Sequence, residues 1–150
     1  MSGDALIRAG VQDLPVPEFD EPAFTAPPAL KDATVAIVTT AGFRRPGQES
    51  WAPFDQSYRV FKAEERDLRL GHLSPNFDRS GFAADINVVY PIDRLNEMVE
   101  EGVLGGVSPI HISFMGAQDE SMTSIRMDSG PAAAKELKDA GVDVVLLTPV

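Results

Sequence analysis

The chain has 150 residues, 43% of them hydrophobic and 24% charged, a balance that fits one folded domain and argues against wholesale disorder. A formal net charge of -10 disfavours nonspecific binding to nucleic acid or to anionic membranes, both of which reward clustered Lys and Arg. The absence of cysteine excludes disulfides, thiolate metal sites and a cysteine nucleophile within these residues.

Residues 1–32 mix acidic side chains with Pro15, Pro17, Pro22, Pro27 and Pro28. Proline removes a backbone donor and clashes inside helices, so this stretch reads as an extended proline-rich arm outside an α/β domain at 33–150. Thr34-Val35-Ala36-Ile37-Val38-Thr39 is apolar and β-branched, the pattern of a buried parallel strand, and Ala41-Gly42 closes it. A polar loop containing Trp51 follows at 44–53. Residues 58–61 and 67–70 fit two short strands, or one strand and a turn. The stretch 72–87 is rich in Asp, Asn, Ser, Pro and Gly and reads as a loop held by side-chain to backbone hydrogen bonds.

Pro91 opens a helix with Ile92, Leu95 and Val99 on one face, Met98 beside them, and Gly102 at its end. A strand is expected over 107–114 despite Pro109. Ser129 or Gly130 then introduces a helix that carries Pro131 in its first turn and stops at Gly141. The run at 142–150 reads as a central strand, apolar on both faces. Strand, helix and strand from 107 to 148 form a βαβ unit, parallel and right-handed by rule. The order predicts an α/β fold: an open, mostly parallel, doubly wound sheet in three layers with flanking helices.

Neither apolar run, at 33–38 or 142–150, approaches the roughly 20 residues that cross a bilayer. The N-terminus has no basic head followed by an apolar stretch, and a cytoplasmic location is the expectation.

In open α/β folds, chemistry gathers beyond the carboxyl ends of the strands. Three predicted strand ends carry small or hydroxyl-bearing residues, which makes Thr39, Thr40, Ser113, Met115 and Thr148 pocket-wall candidates; ordinary turn chemistry is the competing reading. His72, Asp78, Asp85 and Asn87 place an imidazole, carboxylates and an amide in one polar segment. That mix serves substrate binding, acid–base work or a divalent metal, and turn capping explains it as well. No metal-ligand spacing is matched and no metal is assigned. His111, between Ile110 and Ile112, belongs either to the core or to a site. The glycines at 102–106 follow a helix and precede a strand, the reverse of a phosphate-cradling loop.

The segments Thr39-Thr40-Ala41-Gly42, Pro53-Phe54-Asp55, Ser57-Tyr58-Arg59, Asp85-Ile86-Asn87-Val88-Val89-Tyr90-Pro91-Ile92-Asp93-Arg94-Leu95 and Ser113-Phe114-Met115-Gly116 together resemble one family. It is the selenoprotein B family of glycine, sarcosine, betaine and D-proline reductases, in a short, D-proline-reductase-like form. The resemblance runs from about Thr34 to Val150, and the block from Asp85 to Leu95 followed by Ser-Phe-Met-Gly is its most specific part.

The resemblance implies reductive carbon–nitrogen cleavage of a small amino-acid-type substrate by a selenolate or thiolate. It also implies a pyruvoyl group on a partner subunit and a thiol or thioredoxin-like electron donor. No nucleophile and no cofactor are found within the chain. The catalytic selenocysteine is therefore expected after Val150, with the domain incomplete at its C-terminus, the 150 residues inactive alone, and the reading frame cut at a UGA codon. Two other classes compete: a noncatalytic binding or assembly subunit of an oxidoreductase complex that docks through the arm, and a metal-dependent hydrolase using His72, Asp78 and Asp85.

Overall fold

The computed structural model describes residues 3–12, 20, 24–75, 77, 79–119 and 121–150. Its first segment corrects the expectation of an extended arm. Gly3–Val11 is a helix, α1, and the Gln12 N–H continues it to the Arg8 carbonyl at 3.0 Å. Ala5, Leu6, Arg8 and Ala9 favour helix and no proline interrupts them. The helix-blocking Pro15, Pro17 and Pro22 lie outside the described residues. From 24 to 29 the backbone has no regular structure, and a 3-10 turn at Leu30–Asp32 leads into the sheet.

The apolar run forms β1 (Thr34–Thr39), as its composition requires. β2 (Phe43–Arg44), β3 (Tyr58–Lys62) and β4 (Arg69–Leu70) follow, and β2 pairs antiparallel with β4 in a small separate ladder. The expected loop at 72–87 contains a short helix, α2 (Ser80–Ala84), and a 3-10 turn at Ile86–Val88. Short polar side chains start helical turns as readily as loops. α3 (Ile92–Glu100) buries Ile92 and Leu95, with Met98 and Val99 half-buried against the same cluster.

The strand expected at 107–114 is broken into β5 (Gly106–Val107) and β6 (Ile110–Phe114). Pro109 has no N–H to give a ladder. At the break, Ser108 donates its N–H to the Val35 carbonyl at 2.9 Å, and its hydroxyl oxygen accepts from the Ile110 N–H at 3.2 Å. α4 (Gly130–Asp139) is entered from a π-helical turn at Ile125–Ser129, so Ser129 is already helical and caps nothing; its hydroxyl donates to the Gln56 carbonyl at 2.5 Å. Gly141, at φ 76°, takes the left-handed conformation that ends the helix. β7 (Val144–Thr148) comes last.

β1 is parallel to β7 on one side, from Val35 opposite Val144 to Thr39 opposite Thr148. On its other side it is parallel to β5 and β6, with Thr39 opposite Ser113, and β3 adds antiparallel to β6. Alternate residues of β1 enter different layers. Val35 and Ile37 join Ile92 and Leu95 of α3, while Ala36 joins Ile112 with Ala133 and Leu137 of α4. The result is a mixed, mostly parallel α/β sheet with helices on both faces.

Among the described residues β7 pairs only with β1, and Val145, Leu146 and Leu147 are 40%, 37% and 68% exposed. An apolar run states what a strand must bury, not which neighbour supplies the cover.

Phe43 sits in an aromatic cluster with Phe61, Phe82 and Tyr90. The sole tryptophan, Trp51, is buried beside it; its indole N–H donates to the Gly42 carbonyl at 2.7 Å, and the Arg59 guanidinium lies 4.0 Å over its ring. Among the described residues no helix is long and apolar enough to cross a membrane.

Candidate functional site at the carboxyl edge of the sheet

Parallel pairing brings the carboxyl ends of β1, β6 and β7 to one edge, and the expected pocket-wall residues Thr39, Thr40, Ser113, Met115 and Thr148 collect there, although none of them lines the two hollows at this edge. Thr39 is buried; its hydroxyl donates to the Thr148 carbonyl at 3.3 Å and accepts from the Ala41 N–H at 3.2 Å. The Thr40 hydroxyl donates to the Val150 backbone oxygen at 3.2 Å and accepts from the Val150 N–H at 2.8 Å. The Thr148 hydroxyl donates to the Val89 carbonyl at 2.9 Å, tying β7 to the segment before α3. Ser113 is fully buried, accepting from the Phe43 N–H at 2.9 Å and donating to the Phe114 carbonyl at 3.3 Å. Met115 is buried beside Gly42. Ser113 and Met115 thus support the edge from beneath.

His72 joins the same edge although it is distant in sequence. It is 5% exposed, and its ring packs on Phe77 with centroids 4.9 Å apart. Nδ1 accepts from the Ser74 N–H at 3.1 Å, so the neutral ring carries its proton on Nε2. Nε2 has no hydrogen-bond partner among the described residues. Burial lowers the pKa of His72 below its ordinary value and the nearby Arg79 lowers it further, against an opposing effect of the Val150 backbone oxygen. The ring is therefore a neutral donor at pH 7.

Around Gly116 the packing leaves no room for a side chain. A β-carbon there would lie 2.5 Å from His72 Nε2, 2.8 Å from the Val150 oxygen and 3.0 Å from the Thr40 carbonyl. His72, Phe77, Gly116, Gln118 and Val150 line a hollow of about 300 Å³. Beside it, Pro53, Phe54, Leu73, Pro75 and Ala117 line an apolar hollow of about 330 Å³.

Three residues not singled out from the sequence complete the arrangement. The Gln118 amide donates to the carbonyls of Asp55 and Met115 at 2.6 and 2.8 Å, which leaves its buried oxygen unpaired among the described residues. Arg79 donates to the carbonyls of His72 and Ser74 at 2.7 and 3.1 Å, fixing the loop that carries the imidazole. Gly116 stands in the Ser-Phe-Met-Gly segment, and only its reading as a turn residue concealed its closeness to His72. Nothing in the residue types around Arg79 and Gln118 signals their part.

Asp85 and Asn87 do not line the hollow that holds His72. Asp85 accepts from the Asn87 N–H and side-chain amide at 2.9 and 2.8 Å, and these bonds hold its carboxyl below the usual range. Asn87 also accepts from the Asp93 N–H at 3.0 Å and donates to the Asp93 carboxylate at 2.9 Å. Their polar atoms secure the entry to α3. Asp78 lies outside the described residues. Among the described residues no three or more His, Cys, Asp or Glu side chains gather as a metal would need. His111 is a core residue: Nδ1 accepts from the Ile37 N–H at 3.0 Å and the ring meets Tyr90 edge-on.

The chain is 33% identical over 152 residues to D-proline reductase subunit gamma of Acetoanaerobium sticklandii, covering 99% of this chain and 62% of that protein. It is 29% identical to betaine reductase complex component B subunit beta of Peptoclostridium acidaminophilum, and 30% identical to glycine reductase complex component B subunit gamma of Carboxydothermus hydrogenoformans. Each of those alignments covers 91% of this chain and 32% of the relative. No solved structure matches the chain. Residues 11–150 match the family described as glycine/sarcosine/betaine reductase selenoprotein B, and the chain belongs to that family.

Proposed function

We propose that the chain is part of a subunit of an amino-acid reductase complex, acting on a small substrate of the kind named in its relatives: D-proline, betaine or glycine. The observation that carries the reading is a convergence. Thr40 and Gly116, from the two strand-end segments behind the family likeness, meet at Val150, and the unpaired imidazole N–H of His72 faces the same point.

On this reading a selenolate or thiolate that follows Val150 supplies the nucleophile, and a pyruvoyl group on a partner subunit polarises the substrate. The surroundings fit such an anion. Among the described residues no Asp or Glu lines the hollow, His72 offers a neutral N–H, and the Arg79 guanidinium lies close by. In the balanced reaction two electrons enter, the carbon–nitrogen bond breaks and a proton is added to carbon. Nitrogen takes a second proton and leaves glycine as ammonia or stays on the opened chain of D-proline as a primary amine. The quaternary nitrogen of betaine instead leaves as a tertiary amine with no second proton. A dithiol or thioredoxin-like protein gives the electrons and becomes a disulfide. The adjoining apolar hollow has room for the hydrocarbon part of the substrate. The complex works in the cytoplasm, where dithiols stay reduced. Without the nucleophile, the 150 residues alone are inactive.

The genomic frame beyond codon 150 provides the first test: a UGA or cysteine codon followed by family-like sequence is expected. Purified full-length subunit in its complex should then consume one of the three substrates in a dithiol-dependent manner. A frame without either codon, or a complex that reduces none of them, rejects the reading.

A second reading, a noncatalytic assembly subunit, is favoured by the exposed apolar surface of β7 alone. It predicts a stable complex in which this chain is dispensable for turnover.

A further inference from the structure

We propose that Thr40 and His72 are positioning residues that clamp the backbone of Val150 from two sides and so set the direction in which the polypeptide leaves β7. On one side a single hydroxyl, that of Thr40, holds both backbone polar groups of Val150: it accepts from the Val150 N–H at 2.8 Å and donates to the Val150 oxygen at 3.2 Å. On the other side stands His72. Its Nε2–H is buried, has no hydrogen-bond partner among the described residues, and lies across the Gly116 position from the Val150 oxygen: a β-carbon there would be 2.5 Å from the one and 2.8 Å from the other. Gly116 makes the approach possible, because any side chain at that position would occupy the gap between the ring and the Val150 oxygen.

The tautomer limits what His72 does. With the Ser74 N–H on Nδ1, the proton resides on Nε2, and that nitrogen has no lone pair with which to take another. His72 is a donor toward Val150 and toward whatever follows it, not a base. The Ser74 bond, the Arg79 bonds to the carbonyls of His72 and Ser74, and the stacking on Phe77 fix the ring before any ligand arrives. The clamp stands on the geometry alone. Its value to the reaction rests on the proposed function, in which the nucleophile follows Val150.

Both levels are tested on the full-length subunit in its complex, using Thr40→Val, Thr40→Ser, His72→Phe and His72→Gln. Amide hydrogen exchange reads the clamp directly. Thr40→Val removes the acceptor of the Val150 N–H and is expected to speed exchange of that amide about tenfold or more. His72→Phe does not touch the N–H, yet is expected to speed the same amide, while serine at 40 and glutamine at 72 restore protection. Kinetics read the consequence. Each disruptive variant should lower kcat about 10- to 100-fold with KM little changed, and the pH profile of His72→Gln should keep the wild-type shape, since no proton moves through the ring.

An unchanged Val150 exchange rate in His72→Phe overturns the clamp. Faster exchange with an unaltered kcat overturns its role in positioning. A wild-type complex that reduces none of D-proline, betaine and glycine overturns the proposed function, and exchange at Val150 still decides whether the clamp exists.

Discussion

His111 has no exposed surface, and its titration follows from that burial. Burial first, and the Arg66 charge second, push its pKa down from 6.5 to about 4. The unfolded chain then binds a proton near pH 6.5 that the folded chain refuses until about pH 4. Stability from this residue is full above that window, falls as pH drops through it, and is level below; the full swing is about 3 kcal/mol. Urea unfolding of wild type and His111→Gln at pH 7 and pH 4.5 should show the wild type losing about 2 to 3 kcal/mol more than the variant; equal losses would sink the assignment. Gly116→Ala tests the crowding at the carboxyl edge. The added carbon must displace either the His72 ring or the Val150 backbone, and a loss of about 1 to 3 kcal/mol in thermal unfolding is expected. The gathering of the strand ends was legible from the sequence, because parallel strands deliver their carboxyl ends to one place whatever their neighbours. The unpaired Nε2 of His72 was not, since it depends on the Ser74 N–H and on a glycine more than forty positions away.

The elements show where local pattern suffices. β1 and α3 follow their apolar spacing, and Gly141 ends α4 where a left-handed residue was required. The broken strand around Pro109 was less legible because tertiary partners, the Val35 carbonyl and the Ala63 N–H, take up what the ladder loses. α1 was missed because prolines further along were allowed to speak for residues they do not touch. The entry to α3 rests on Asn87, which bonds both Asp85 and Asp93. Asn87→Ala removes those bonds and is expected to cost about 1 to 2 kcal/mol in chemical denaturation, with KM for substrate unaltered in the complex. A raised KM at unchanged stability would return Asn87 to the binding site.

For the molecule as a whole, the asymmetry of the sheet matters most. Among the described residues one side ends in β3, packed and partly buried, while the other presents the apolar edge of β7, paired there only with β1. Such an edge templates association. The 150-residue chain should therefore self-associate with rising concentration, and Leu147→Lys should suppress this without lowering its unfolding temperature. Light scattering of the two proteins checks it: equal association places the contact elsewhere.

Trp51 gives the same molecule an optical handle. With one indole in the chain, its N–H on the Gly42 carbonyl and Gly42 in turn against the His72 backbone, emission comes from a single fluorophore within two contacts of the Val150 clamp. Ligands or partners that move this corner should change its colour and intensity, so binding is readable in the unlabelled protein without turnover.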